Sequence, residues 1–189
     1  MEKEKIMSRI NVIDHQSAEG KAKDLLDAVK AKLGFAPNLM TTLAQSPAVL
    51  EAYLTFSGTL GTTLNAKLRE QISVLTAEEN GCGYCLSAHT ALGKMAGLTE
   101  EEILAARSGN GDDAKNGAAL KFAQAVLSKR GTVGDADVQA VKDAGFSDGE
   151  ITEIVANVAL NVFTNYFNNV AGTEVDFPRV ELFGRGTAA

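Results

Sequence analysis

Residues 70–89 read EQISVLTAEENGCGYCLSAH. Just upstream, Asn65 can cap a helix that carries Leu68, Ile72, Val74 and Leu75 and runs to Glu79. Asn80-Gly81 ends it, because glycine takes the left-handed conformation in which helices terminate. From Cys82 to about Ala96 the pattern is helical again, closed by Gly97. Two helices folded back on each other at one glycine break make a helical hairpin, and the rest of the chain follows the same grammar.

Period-two alternation is nearly absent, so the expected fold class is all-α. A first helix is expected over about Ser17 to Lys32, stopped by Gly34 and followed by the turn Phe35-Ala36-Pro37-Asn38. Asn38 to Gln45 and Pro47 to Gly58 read as two more, the second with Ser46 as N-cap and Pro47 at its first position, where a missing N–H costs nothing. Thr99 and Glu102 form a capping box for a short helix to Arg107, and Ser108 to Asn116 (SGNGDDAKN) reads as a polar loop. Further helices are expected at about Ala118 to Ser128, at Asp135 to Ala144, and from a second capping box at Ser147 and Glu150 to roughly Val170. Ala96 to Ile103 and Ala144 to Ile151 echo each other: a glycine stop, an apolar residue, a cap and a capping acid recur in order.

The length of 189 residues suits one domain, with a core at about 17–172 and little helical pattern beyond Gly172. With 18 Lys and Arg against 24 Asp and Glu, the formal charge is -6, which argues against nucleic acid or an anionic membrane surface as a partner. No apolar run approaches the roughly 18–20 residues of a membrane span, and Met1 to Ile10 (MEKEKIMSRI) lacks the apolar stretch of a secretory signal. A cytoplasmic location is expected, and in a reducing compartment a C-x-x-C pair points to redox chemistry or metal binding.

Cys82 and Cys85 are all the cysteine in the chain, and His89 is one of two histidines. Both thiols fall in the first turn of the second hairpin helix, where unpaired backbone N–H groups and the helix dipole favour thiolate over thiol. Residues three and four apart share a helix face, so Cys82, Cys85 and His89 can meet. Glu70 lies eleven residues before Gly81 and His89 eight after it, so in an antiparallel hairpin their levels differ by about 4–5 Å at a rise of about 1.5 Å per residue. The order Glu70, His89, Cys85, Cys82 then reads as a proton relay to a dithiol, suited to peroxide reduction through a sulfenic acid and a disulfide. Zinc is the competing reading, but a structural site needs four ligands, and only Cys82, Cys85, His89 and the remote His15 are present; no metal site is expected.

The run from Glu70 to His89 resembles the core of the alkylhydroperoxidase AhpD and carboxymuconolactone decarboxylase superfamily, whose peroxidase members carry Glu, then C-x-x-C, then His at these separations. Gly34-Phe35-Ala36-Pro37-Asn38-Leu39 and Phe163-Thr164-Asn165-Tyr166-Phe167-Asn168 are similar to the peroxidase-related branch. The resemblance implies an AhpD-like helical bundle, with its arms at the contacts of a homotrimer or homohexamer. It also implies Cys85 as the peroxide-attacking thiol, Cys82 as the resolving one, and Glu70 with His89 as the relay. No bound cofactor is implied; reduction would come from a lipoyl group or another dithiol protein. The best-known peroxidases of the family have a histidine where this chain has Tyr84, and a phenol of pKa about 10 is a poor base at pH 7. Decarboxylase members do not depend on the cysteine pair, so its presence counts against a decarboxylase or lactone-processing activity. A redox sensor that oxidises without turning over is the other alternative.

Asn157, Asn161, Asn165 and Asn168 recur at helical spacing among Ile154, Val158 and Val162. The stripe either lines a substrate pocket, hydrogen-bonds across a subunit interface, or forms a solvated helix face; Tyr84, Asn161 and Asn165 are the expected substrate contacts. Tyr53, Phe56, Phe122, Phe163 and Phe167 read as core or interface packing.

Overall fold

The computed structural model describes residues 8–184, so the readings made on residues 1–7 and 185–189 lie outside the described residues. Within them the chain forms only α-helices: α1 (Gly20–Leu33), α2 (Asn38–Leu43), α3 (Pro47–Leu60), α4 (Ala66–Glu79), α5 (Gly83–Met95), α6 (Glu100–Arg107), α7 (Ala114–Ser128), α8 (Asp135–Asp143) and α9 (Asp148–Ala171). The expected all-α class is what the chain adopts, with no strand among the described residues.

Helix α4 stands at the centre. Seven consecutive residues from Gln71 to Ala77 are buried, because α5, α6, α7 and α9 all pack on this helix. Ile72, Val74 and Leu75 supply its apolar contacts, each such buried side chain stabilising by roughly 1.5–3 kcal/mol. Its buried hydroxyls are satisfied locally: Ser73 donates to the Arg69 carbonyl at 2.8 Å and Thr76 to that of Ile72 at 2.7 Å. Gln71 reaches Asp112 at 3.1 Å.

The turn between α4 and α5 sets the site. Gly81 takes φ 63°, where a side chain would be strained, and two backbone bonds close the helix end: Gly81 N–H to Glu78 O at 3.1 Å and Cys82 N–H to Ala77 O at 2.9 Å. The same paired bonds close α5 at Gly97 and α8 at Gly145, and capping boxes at Thr99 and Ser147 open the helices that follow. The echo between the two joints is therefore structural as well as sequential.

Several boundaries differ from expectation. Helix α1 begins at Gly20 rather than Ser17, and α2 ends at Leu43 rather than Gln45. Ser46 precedes α3 without a side-chain capping bond, and that helix continues to Leu60. Helix α7 starts at Ala114, inside the stretch expected to be loop, because Asp113 accepts the Asn116 N–H at 2.7 Å and caps it.

Residues 173–184 contain no helix and run back along the hairpin. Val180 N–H donates to Ser87 Oγ at 3.0 Å and Phe183 N–H to Glu78 Oε1 at 2.7 Å. Arg107 holds this strap: it donates to Glu78 Oε2 at 2.8 Å and to the Glu181 carbonyl at 2.8 Å, and its guanidinium lies 3.7 Å from the Phe183 ring centre. The Arg107 and Glu78 side chains are 5% and 11% exposed, so truncating one strands the other's charge in the interior. Arg107→Ala is expected to lower stability by about 3–5 kcal/mol, or the melting temperature by roughly 6–20 °C. Thermal unfolding followed by circular dichroism checks this; a shift under about 2 °C would show that the pair contributes nothing.

Candidate active site

Cys82 is the N-cap of α5, and its sulfur accepts the Cys85 N–H at 3.2 Å. This places Cys85 in the first helical turn, with both thiols free and buried. The two sulfurs differ. Burial alone pushes the Cys85 thiol up, but the hydrogen bond from Cys82, the charge on His89 and the amides of Asn168 and Asn165 together outweigh it and bring it down to about 7. The Cys82 thiol moves far above its ordinary value, first because it donates to Cys85 and then because it is buried.

His89 sits on the next turn of α5, and its Nδ1 lies 2.8 Å from Glu70 Oε2 on α4. With Nδ1–H donating to the carboxylate, Nε2 is the ring nitrogen left free to exchange a proton. Burial disfavours the imidazolium, yet the charge of Glu70 and its hydrogen bond prevail, and His89 is raised. Among the described residues no hydrogen bond joins the His89 ring to either sulfur; the two groups act on each other through charge.

Two cavities meet at His89. The first, about 410 Å³, is mainly apolar and is lined by Phe35, Leu39, Tyr53, Tyr84, Phe177 and other residues including His89. Phe177 of the strap stands edge-on to both Phe35 and Tyr84, at centroid distances of 5.7 and 5.9 Å. The second, about 320 Å³, is polar and is lined by Glu70, Ser73, Asn157, Asn161 and Thr164 besides His89 and Tyr53. A larger cleft of about 670 Å³ lies at Asn110–Lys121 and α8 and contains none of these groups. Tyr84 accepts the Leu39 N–H at 3.1 Å, tying α2 to α5, and its burial raises the phenol well above the range in which it can act as a base. Burial likewise pushes Tyr53 up to about 12.

The model of the carboxymuconolactone decarboxylase family matches residues 47–128, which contain the α4–α5 pair with Glu70, both cysteines and His89. Among solved structures, a peroxidase-related protein from Ralstonia eutropha JMP134, described as an alkylhydroperoxidase AhpD core, is 27% identical, with a TM-score of 0.81 over 90% of this chain and 93% of that one. Residues 47–128 thus carry the pattern of the carboxymuconolactone decarboxylase family, on a fold similar to that of AhpD-like peroxidase-related proteins. The fold also matches a peroxidase-related protein from Silicibacter sp. TM1040, at 21% identity and a TM-score of 0.78 over 91% and 95% of the two chains. A third match is a Cys-to-Ala variant of the debrominase Bmp8 in complex with 2,3,4-tribromopyrrole, at 18% identity and a TM-score of 0.76 over 90% and 93%. No curated protein matches the sequence.

The structure brings Glu70 and His89 into contact and sets Cys82 and Cys85 on one turn. It places Tyr84 and Asn161 on cavity walls, and Asn165 beside Cys85 instead. The asparagine stripe is no solvated face: Asn157, Asn161, Asn165 and Asn168 are all at most 4% exposed, since α9 turns them towards α4 and α5. Asn161 donates to Ser73 at 3.1 Å, and Asn80 to Asn165 at 3.0 Å. Of the aromatic residues, Phe122 is in the core while Phe56 and Phe163 are 43% and 41% exposed. Two residues escaped the sequence reading as site members: Asn168, whose Nδ2 lies 3.2 Å from Cys85 Sγ, and Tyr53, a wall of both cavities. The only signal for Asn168 was the stripe itself.

With the Cys85 thiol held near 7, its alkylation by iodoacetamide should rise with pH through a midpoint about there, well below that of an ordinary thiol. The linkage has a definite sign. A lowered folded value contributes stability that is present above the ordinary thiol range and lost as pH falls through about 7. A single midpoint at the ordinary thiol value, measured by mass spectrometry of Cys85, would contradict it.

Proposed function

We propose that this protein is a thiol peroxidase that reduces small alkyl hydroperoxides at Cys85. The Cys85 thiolate attacks the terminal peroxide oxygen, the O–O bond breaks, and the departing alkoxide takes a proton from the His89 imidazolium to leave as alcohol. Cys85 is then a sulfenic acid. Cys82 attacks that sulfur, water leaves, and a Cys82–Cys85 disulfide forms. An external dithiol, a lipoyl group or another dithiol protein, reduces it through a mixed disulfide and is itself oxidised. Glu70 orients His89 and stabilises its charge. The enzyme would work in the cytoplasm as a homotrimer or homohexamer, without a bound cofactor.

The observation that carries this reading is the asymmetry of the two sulfurs: Cys85 is brought down to about 7, while Cys82 is pushed far up and donates to it. An attacking thiol needs the first environment; a resolving thiol tolerates the second. The apolar cavity at His89 suits the alkyl part of a hydroperoxide. The test is to add cumene hydroperoxide to the reduced protein and count thiols. Both should be lost and then restored by dihydrolipoamide, with peroxide consumed over many cycles. Oxidation without turnover would leave only a redox sensor.

A second reading draws on the aromatic walls at Phe35, Tyr84 and Phe177, which fit a flat ring. In reductive debromination the two thiols supply two electrons, the ring carbon exchanges bromine for hydrogen, bromide leaves and the disulfide forms. Bromide release from 2,3,4-tribromopyrrole, with no peroxide turnover, would select it.

A further inference from the structure

The polar stripe of α9 ends against the sulfur of Cys85, and its chemistry there is specific. Asn168 Nδ2 lies 3.2 Å from Cys85 Sγ, in a region where Asn168 is 3% exposed and Cys85 2%. The other end of that amide, Oδ1, has no partner. Next to it, Asn165 is fully buried; its Oδ1 accepts from Asn80 Nδ2 at 3.0 Å, which fixes the amide with Nδ2 on the opposite side. That Nδ2 makes no regular hydrogen bond, yet the amide is close enough to the sulfur to act on it. Asn80 is itself the C-cap of α4, and Asn169 Nδ2 donates to its carbonyl at 3.1 Å, so α9 is pinned to the hairpin turn beside the thiols.

A buried amide that gives its N–H to sulfur and leaves its carbonyl unpaired is costly for a neutral thiol, whose sulfur is a weak acceptor. The cost is recovered when the sulfur is an anion, because a hydrogen bond to a charged acceptor is roughly twice as strong. We propose that Asn168, with Asn165 beside it, forms an amide cradle that holds Cys85 as the thiolate, making Asn168 a catalytic residue and Asn165 a positioning one. The proposal rests on Cys85 being the attacking thiol. Unlike His89, the amides cannot change charge, so they favour the anion at every pH. The other groups facing Cys85 are Cys82, Tyr84 and His89 from its own helix and its cap, Glu70 across the hairpin and Tyr53 from α3; of these Cys82 also donates to the sulfur, but it is itself a thiol that the reaction consumes, whereas the amides are fixed.

The experiment reads the sulfur without turnover. In a Cys82→Ser background, the rate of Cys85 alkylation by iodoacetamide is followed against pH. Asn168→Leu removes the donor at similar volume and should raise the midpoint by about one to two pH units, a ten- to hundredfold loss of thiolate at pH below it. Asn165→Leu should raise it by less. An unchanged midpoint in a folded Asn168→Leu protein overturns the proposal. If that variant does not fold, Asn168→Ala, which removes the donor without adding a charge, decides: a raised midpoint supports the cradle, and a parental midpoint sinks it. A protein that proved not to be a peroxidase would still show the shift, so the two readings fail separately.

Discussion

Cys85→Ser is expected to abolish peroxide turnover, lowering the rate by roughly 10⁴- to 10⁶-fold, the span for loss of an essential nucleophile. The hydroxyl that replaces the thiol stays protonated in an environment that brings a thiol to about 7, and it cannot form a sulfenic acid. Cys82→Ser should behave differently. Its first turnover proceeds at near the parental rate, because the attacking sulfur and its donors are intact apart from the Cys82 hydrogen bond. Cycling then stops, with a Cys85 sulfenic acid that dimedone traps. Stopped-flow peroxide consumption with mass spectrometry of the trapped adduct separates the two variants. Should Cys82→Ser lose the first turnover while Cys85→Ser keeps it, the assignment of roles is reversed.

Glu70→Gln and His89→Ala are each expected to slow peroxide consumption by roughly ten- to ten-thousand-fold, the usual range for losing acid–base assistance. The two should not add, because Glu70 acts through the ring that it holds at 2.8 Å. Glu70→Gln keeps the contact and removes the charge that raises His89, so the histidine should titrate lower than in the parent. The sign follows from that shift. A raised His89 contributes stability that is full below its ordinary value near 6.5 and lost as pH rises through the raised one, and Glu70→Gln should erase this. Nuclear magnetic resonance titration of the His89 ring and thermal unfolding across pH test it together. Parental rates in both variants would remove the relay from the mechanism.

Local chemistry made most of the scaffold legible. Asn65, Thr99 and Ser147 cap the helices that their side chains announce, and Gly34, Gly97 and Gly172 end the helices before them in the left-handed conformation. The start of α7 was obscured because Asp112, Asp113 and Asn116 look like loop until one side chain accepts the N–H three residues on. The Glu70–His89 contact could be derived because both residues flank one short turn, leaving few geometries open. Asn168 could not, since its partner Cys85 is 83 residues away and an amide stripe suits water or the interior equally well. Only the packing of α9 on α4 and α5 decides between them. The strap was hidden for the same reason: Glu174 to Phe183 carry no periodic pattern, and their bonds run to Asn38, Ser87 and Glu78.

Helix α9 and the strap also order events during synthesis. Both partners of the Glu70–His89 pair are present once the hairpin has left the ribosome, but the amide on Cys85 and the wall at Phe177 arrive some eighty to ninety residues later. At about 5–20 residues per second, both thiols spend roughly 4–18 s without them. A nascent chain thus carries its dithiol without the amide that favours the Cys85 thiolate, and completes the surroundings of that sulfur only as its fold closes.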